Sequence, residues 1–124
     1  MTTLNLDDNQ AAFQIKAFKP GHIQVNEKIY TKSLIITPTK LIEDWPPQSA
    51  QEISSDMFND IQSLQPDILL IGTGSTLVLL PPEIYGHLIN QGIGVELMNT
   101  SAACRTYNAL SAESRNVVAA LIIN

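Results

Sequence analysis

Apolar and polar positions alternate from Phe13, with Phe13, Ile15 and Ala17 on one side and Gln14 and Lys16 on the other, the period of a half-buried strand. Pro20-Gly21 supplies a turn, Ile23 and Val25 resume the alternation, and Asn26-Glu27 marks a second turn. Lys28–Tyr30 and Ser33–Thr37 read as further β structure, so the first forty residues are expected to form an antiparallel meander. Pro38-Thr39-Lys40 interrupts it, Leu41-Ile42 is a short segment, and the proline pair of Trp45-Pro46-Pro47-Gln48-Ser49 excludes regular pairing there. Residues 1–11 are polar and aperiodic and read as a flexible tail.

The second half carries longer periods. Met57, Ile61 and Leu64 fall at helical spacing, with Ser54 or Ser55 as cap and Pro66 as the stop. Ile68-Leu69-Leu70-Ile71 is a continuous apolar run closed by Gly72, the pattern of a strand buried on both faces. Pro81-Pro82 opens a helix that runs to about Gln91, with Glu83 in its first turn and Gly92 fitted to a left-handed C-terminal position. Gly94-Val95-Glu96-Leu97 begins a strand, and Asn99 or Thr100 caps a helix bearing Ala103, Tyr107 and Leu110 on one stripe. Val117–Ile123 is a last buried strand. Residues 66–124 therefore predict a βαβαβ unit with crossover connections, and residues 12–45 a β-rich part that extends or covers its sheet. The expected fold is a single α/β domain: three layers, a mixed central sheet, an N-terminal antiparallel meander and a C-terminal βαβαβ unit.

Composition narrows the partners. The 124 residues suit one domain, and 44% apolar with 15% charged residues is the balance of a globular chain. A net charge of −5, with basic residues scattered singly from Lys16 to Arg115, argues against nucleic acid as a partner. The longest apolar stretch, Ile68 to Leu80, is broken by Gly-Thr-Gly-Ser-Thr and too short to span a bilayer, so no membrane insertion is expected. No import signal is read in the first residues, and the lone Cys104 suits a reducing compartment, which together point to the cytoplasm.

Candidate chemistry gathers at two polar junctions. Gly72-Thr73-Gly74-Ser75-Thr76 follows a strand, where glycine amides can turn toward an anion. Leu77 stands where a dinucleotide fingerprint needs its third glycine, and no Gly-Lys-Ser/Thr follows, so a tight structural turn competes with a ligand loop and no cofactor is expected. Cys104 lies in or near the first turn of its helix beside Arg105, a setting that favours a thiolate, against the competing reading of a small core residue. His22 and His87 have no second ligand at metal spacing, so no metal is expected. Trp45 reads either as an exposed anchor or as a buried lid.

Taken together, Ile71-Gly72-Thr73-Gly74, Gln91–Glu96, the block Asn99–Asn108 and Arg115–Ile122 resemble a small-domain family. It includes mitochondrial respiratory complex I assembly factor three and the adipogenesis-associated domain-containing protein of animals, with bacterial and archaeal members. Lys32 departs from the glycine that relatives often carry there. The resemblance implies a compact three-layer α/β domain and an assembly or interaction role, without catalytic residues to carry over. A non-enzymatic module that binds another protein is the leading expectation. Gly72, Thr73, Gly74, Ser75, Cys104, Arg105 and Asn108 are its binding candidates. The alternative is an enzyme or small-molecule pocket at the same residues, where open α/β sheets place ligands. A homodimer through an edge strand is compatible with both.

Overall fold

A computed structural model describes residues 10–124; the expected tail over 1–11 lies almost wholly outside them. The β-rich first part divides in two. β1 (Ile15–Lys19), β2 (His22–Val25) and β3 (Lys28–Tyr30) form a separate antiparallel sheet in that order, turning at Gly21, whose φ is +89°, and at Asn26, whose φ is +53°. A bulge between Ile15 and Ala17 shifts the alternation of β1. Ala17, expected beside Ile15 on the inner side, is exposed, and Phe18 packs inward instead.

β4 (Leu34–Ile36) and β5 (Leu41–Ile42) leave this meander and join the main sheet, which corrects the expected continuous run of forty residues. Leu34, Ile35 and Ile36 are all buried, and a strand without a polar face belongs inside a sheet covered on both sides. A 3₁₀ turn at Ala50–Glu52 follows, then a second at Ser55–Phe58 that runs into α1 (Asn59–Leu64). The single capped helix expected here starts as 3₁₀ because Ser54 gives its hydroxyl to the Asp56 carboxylate and makes no cap bond to the backbone. Gln65, at φ +48°, ends α1.

The βαβαβ unit is as expected. β6 (Ile68–Gly72), α2 (Pro82–Asn90), β7 (Gly94–Met98), α3 (Thr100–Ala112) and β8 (Val117–Leu121) follow one another, and the main sheet has the order β5-β4-β8-β6-β7. β6 lies parallel to both β7 and β8, while β4 is antiparallel to β8, so the sheet is mixed. Asn99 caps α3, its Oδ1 accepting from Ala102 N at 2.8 Å.

Apolar side chains on the two faces of the sheet build two cores. Leu69, Ile71, Val118, Ala120 and Ile122 pack with Trp45, Phe58, Ile61 of α1 and Leu88 of α2. Leu70, Val117, Ala119 and Leu121 pack with Ala103, Cys104 and Tyr107 of α3 and with Ile15, Ile23 and Val25 of the small sheet. The chain thus has three layers, with the β1–β3 sheet sharing the α3 layer. The step from β6 to β7 and the step from β7 back across β6 to β8 run in opposite directions. Right-handed crossovers then place α2 and α3 on opposite faces. The carboxyl ends of β6 and β7 are consequently a topological switch point, where open α/β sheets hold ligands.

Candidate functional site

At this switch point the chain fills the crevice with its own groups. Thr73 N donates to Met98 O at 2.9 Å and Thr100 N to Gly74 O at 2.9 Å, which lace the loop after β6 to the start of α3. Thr100 Oγ1, fully buried, accepts from Gly74 N at 2.9 Å and donates to Ile122 O at 2.6 Å. Thr73 Oγ1 donates to Thr76 O at 2.8 Å and accepts from Val78 N at 3.0 Å, closing the turn upon itself.

Both glycines are explained by this lacing. A Cβ on Gly72 would lie 2.9 Å from Thr100 Oγ1 and 3.1 Å from Thr100 Cα, and Gly74 has a φ of +107° with its would-be Cβ 3.1 Å from the Asn124 carbonyl. Gly72, Thr73 and Gly74 are buried, while Ser75 is exposed. The N–H groups of Thr100 and Ala102 at the positive end of α3 are already taken by Gly74 and Asn99.

The other three candidates stand elsewhere. α3 begins at Thr100, so Cys104 sits in its second turn, beyond the turn where the dipole lowers a thiol pKa. Burial pushes the Cys104 thiol up to about 12, and the neighbouring Arg105 charge offsets only part of that. Arg105 is exposed, donating to Ser101 Oγ at 2.8 Å. Asn108 reaches across to β1, where its Oδ1 accepts from Ile15 N at 3.1 Å and its Nδ2 donates to Ile15 O at 2.7 Å. Next to it the Tyr107 hydroxyl donates to Phe13 O at 2.7 Å. Between β1 and α3 runs a groove of about 230 Å³ whose walls include Lys16, Ala17, Phe18, Ser101, Arg105 and Asn108.

Gly72–Gly74 and the Cys104–Asn108 stretch therefore do not converge on one opening. Two participants were not singled out as site residues from sequence: Thr100, read only as a helix cap, and Lys16, read only as a strand position. No local signal marks either, since their partners lie far along the chain. Among the described residues no group of three or more His, Cys, Asp or Glu is placed to hold a metal. Trp45 is buried, its ring centroid 5.9 Å from that of Phe58 and its Nε1 donating to Met57 O at 3.3 Å.

Residues 15–122 match the family model described as "Protein of unknown function (DUF498/DUF598)". The chain belongs to this family. A Francisella tularensis relative named "13 kDa major membrane protein" is 33% identical over 98% of this chain and 100% of its own length. The zebrafish NADH dehydrogenase [ubiquinone] 1 alpha subcomplex assembly factor 3 is 31% identical over 87% of this chain, and the match spans 63% of that protein. The resemblance read from the sequence, to the family of complex I assembly factor three with bacterial members, is thereby shown.

Solved structures similar to this chain agree with the fold. A Bordetella parapertussis protein superposes with a TM-score of 0.86 at 37% identity, covering 92% of this chain and 98% of that one. A Bordetella pertussis protein described as a Mth938-like domain gives 0.83 at 31% identity, covering 98% and 92%. Among the described residues no helix is long and apolar enough to cross a membrane.

Proposed function

We propose that this DUF498/DUF598 chain is a non-catalytic, assembly-factor-like module that docks a protein partner around the Gly72–Thr76 loop and the start of α3. One observation carries the reading. The polar groups of the switch point, where an enzyme of this architecture would keep its ligand, are bonded to one another, while Leu77 and Leu79 stand 51% and 75% exposed in the segment that leaves the loop. Relatives named as assembly factors of a respiratory complex support a protein partner over a small substrate.

Affinity capture from a lysate of the source cell, with the wild-type chain and Leu79→Ser in parallel, tests the proposal. A reproducible partner that Leu79→Ser loses is the expected result. Recovery of nothing at several salt concentrations, or of the same set with both proteins, overturns it. A cytoplasmic seat belongs to the same proposal, resting on the single cysteine, and cell fractionation checks it against the membrane name of the Francisella relative.

A further inference from the structure

Among the described residues β1 is the outer strand of its sheet, paired with β2 on one side and with no strand on the other. The N–H and C=O of one strand residue point to the same side, and a neighbouring antiparallel residue ordinarily exchanges two hydrogen bonds with them. Asn108 makes that exchange with Ile15 through its side chain, at 3.1 and 2.7 Å. Its carboxamide thus stands in, at Ile15, for one residue of a fourth strand. Beyond Ile15 the edge of β1 continues through Lys16, Ala17 and Phe18, where it borders the groove of about 230 Å³, to Lys19 at its end.

The opposite wall of this groove is the Ser101, Arg105 and Asn108 stripe of α3, residues one helical turn apart on one face. Lys16 and Arg105 bring two exposed positive charges to the groove, and Lys19 lies just beyond it on the same strand. Their hydrogen bonds, Lys16 Nζ to Gln14 Oε1 at 3.2 Å and Arg105 Nη1 to Ser101 Oγ at 2.8 Å, are to neutral groups and leave the charge in place. No carboxylate is among the residues lining the groove, in a chain whose net charge is −5.

We propose that this groove is a strand-addition site in which an extended, acidic segment of a protein partner pairs with β1 and carries on the strand that Asn108 begins. The inference rests on the reading above that this chain docks a protein, and adds to the contact at the loop a second one at β1. Main-chain pairing along the edge supplies affinity, and Lys16, Lys19 and Arg105 select for acidic side chains. Edge lysines ordinarily discourage strand pairing, because a basic chain is repelled and a neutral one would desolvate their charge without compensation; an acidic chain is the one they admit. A second copy of this chain fits poorly, because two β1 strands paired about a two-fold axis would bring their lysines and both Arg105 side chains together without an acid.

Fluorescence polarisation with a labelled eight-residue peptide of alternating Glu and Val tests this at physiological ionic strength. Saturable binding is expected, with changes in the backbone amide resonances of Lys16–Lys19. The double variant Lys16→Glu/Arg105→Glu, both positions exposed so that thermal melting should be unchanged, is expected to weaken binding about tenfold. Of two peptides N-methylated on complementary alternate residues, one should fail to bind because it loses the donors that face β1. Absence of saturable binding, equal binding of both methylated peptides, or indifference to the double variant overturns the inference. So does a dimer in sedimentation velocity that the double variant dissolves, since that would assign the edge to a second copy. Failure here with lysate capture intact removes this inference alone, whereas failed capture removes the docking reading beneath it.

Discussion

Replacing Thr100 by valine should destabilise this protein far more than the loss of one hydroxyl suggests. Valine keeps the branched shape, so the packing at this fully buried position changes little, and the substitution isolates the two hydrogen bonds. Gly74 N loses its acceptor at 2.9 Å and Ile122 O its donor at 2.6 Å. A buried polar group left unpaired costs about 1–3 kcal/mol, so two of them cost roughly 2–6 kcal/mol. The added methyl group returns about 0.8 kcal/mol of burial. A net loss of about 1–5 kcal/mol is expected, against a total stability of about 5–15 kcal/mol for a domain of this kind. Thr100→Ser is the control: it keeps both bonds, gives up a methyl group and should cost only about 1 kcal/mol. Urea unfolding reads the difference, since a slope of about 2 kcal/mol per molar places the valine midpoint roughly 0.5–2.5 molar lower. If Thr100→Val unfolds at the wild-type midpoint, or is milder than Thr100→Ser, the account of the laced switch point is wrong.

Three further outcomes follow from the same geometry. Gly72→Ala should cost about 1–3 kcal/mol, because its Cβ meets Thr100 Cα at 3.1 Å and backbone cannot move aside as a side-chain tip can; thermal unfolding measures it, and an unaltered melting temperature would count against the close approach. Asn108→Ala should cost about 1–2 kcal/mol by leaving the part-buried Ile15 N–H and C=O unpaired, and hydrogen exchange at Ile15 should quicken more than exchange at Ile23. The Cys104 thiol, raised from an ordinary 9.0 to about 12 by burial, favours the folded state while neutral; that contribution is whole below pH 9 and is lost as pH rises toward 12. Buried Tyr107 is raised in the same direction, so the Cys104 share is read as the difference in alkaline unfolding between wild type and Cys104→Ala. Native Cys104 should also react with iodoacetamide at pH 8 far more slowly than the urea-unfolded chain does.

The fold was legible where the signal is local. The apolar run at Ile68–Ile71, Pro82 at a helix start and the Asn99 cap each rest on a few neighbouring residues, and α2, α3 and the strands around them lie where those residues indicate. What escaped depends on distant partners. β4 belongs to the main sheet because Leu34 pairs with Leu121; the apolar run Leu34-Ile35-Ile36 marks a strand covered on both faces but does not name that partner. The bulge in β1 likewise leaves no local mark, so Ala17 and Phe18 exchange their expected sides. The candidate site suffered most, since the Gly74–Thr100 bond spans 26 residues and the Asn108–Ile15 pair 93.

Those long bonds change what the glycines of the loop mean. In a nucleotide-binding sheet, glycines after a central strand let backbone amides approach a phosphate at a helix amino end. Here the strand, the glycines and the helix start are all present, and the object they approach is Thr100. Its hydroxyl takes the Gly74 amide that an anion would take, and its Cα fills the space that Gly72 leaves open. An open sheet has a switch-point crevice and edges with which to meet other molecules, and this chain has spent the crevice on its own stability. On the two proposals above, recognition falls to the exposed leucines beyond the loop and to the edge of β1. There the Asn108 carboxamide pairs with Ile15, and on the strand-addition proposal this binding candidate read from sequence begins the strand that a partner would continue.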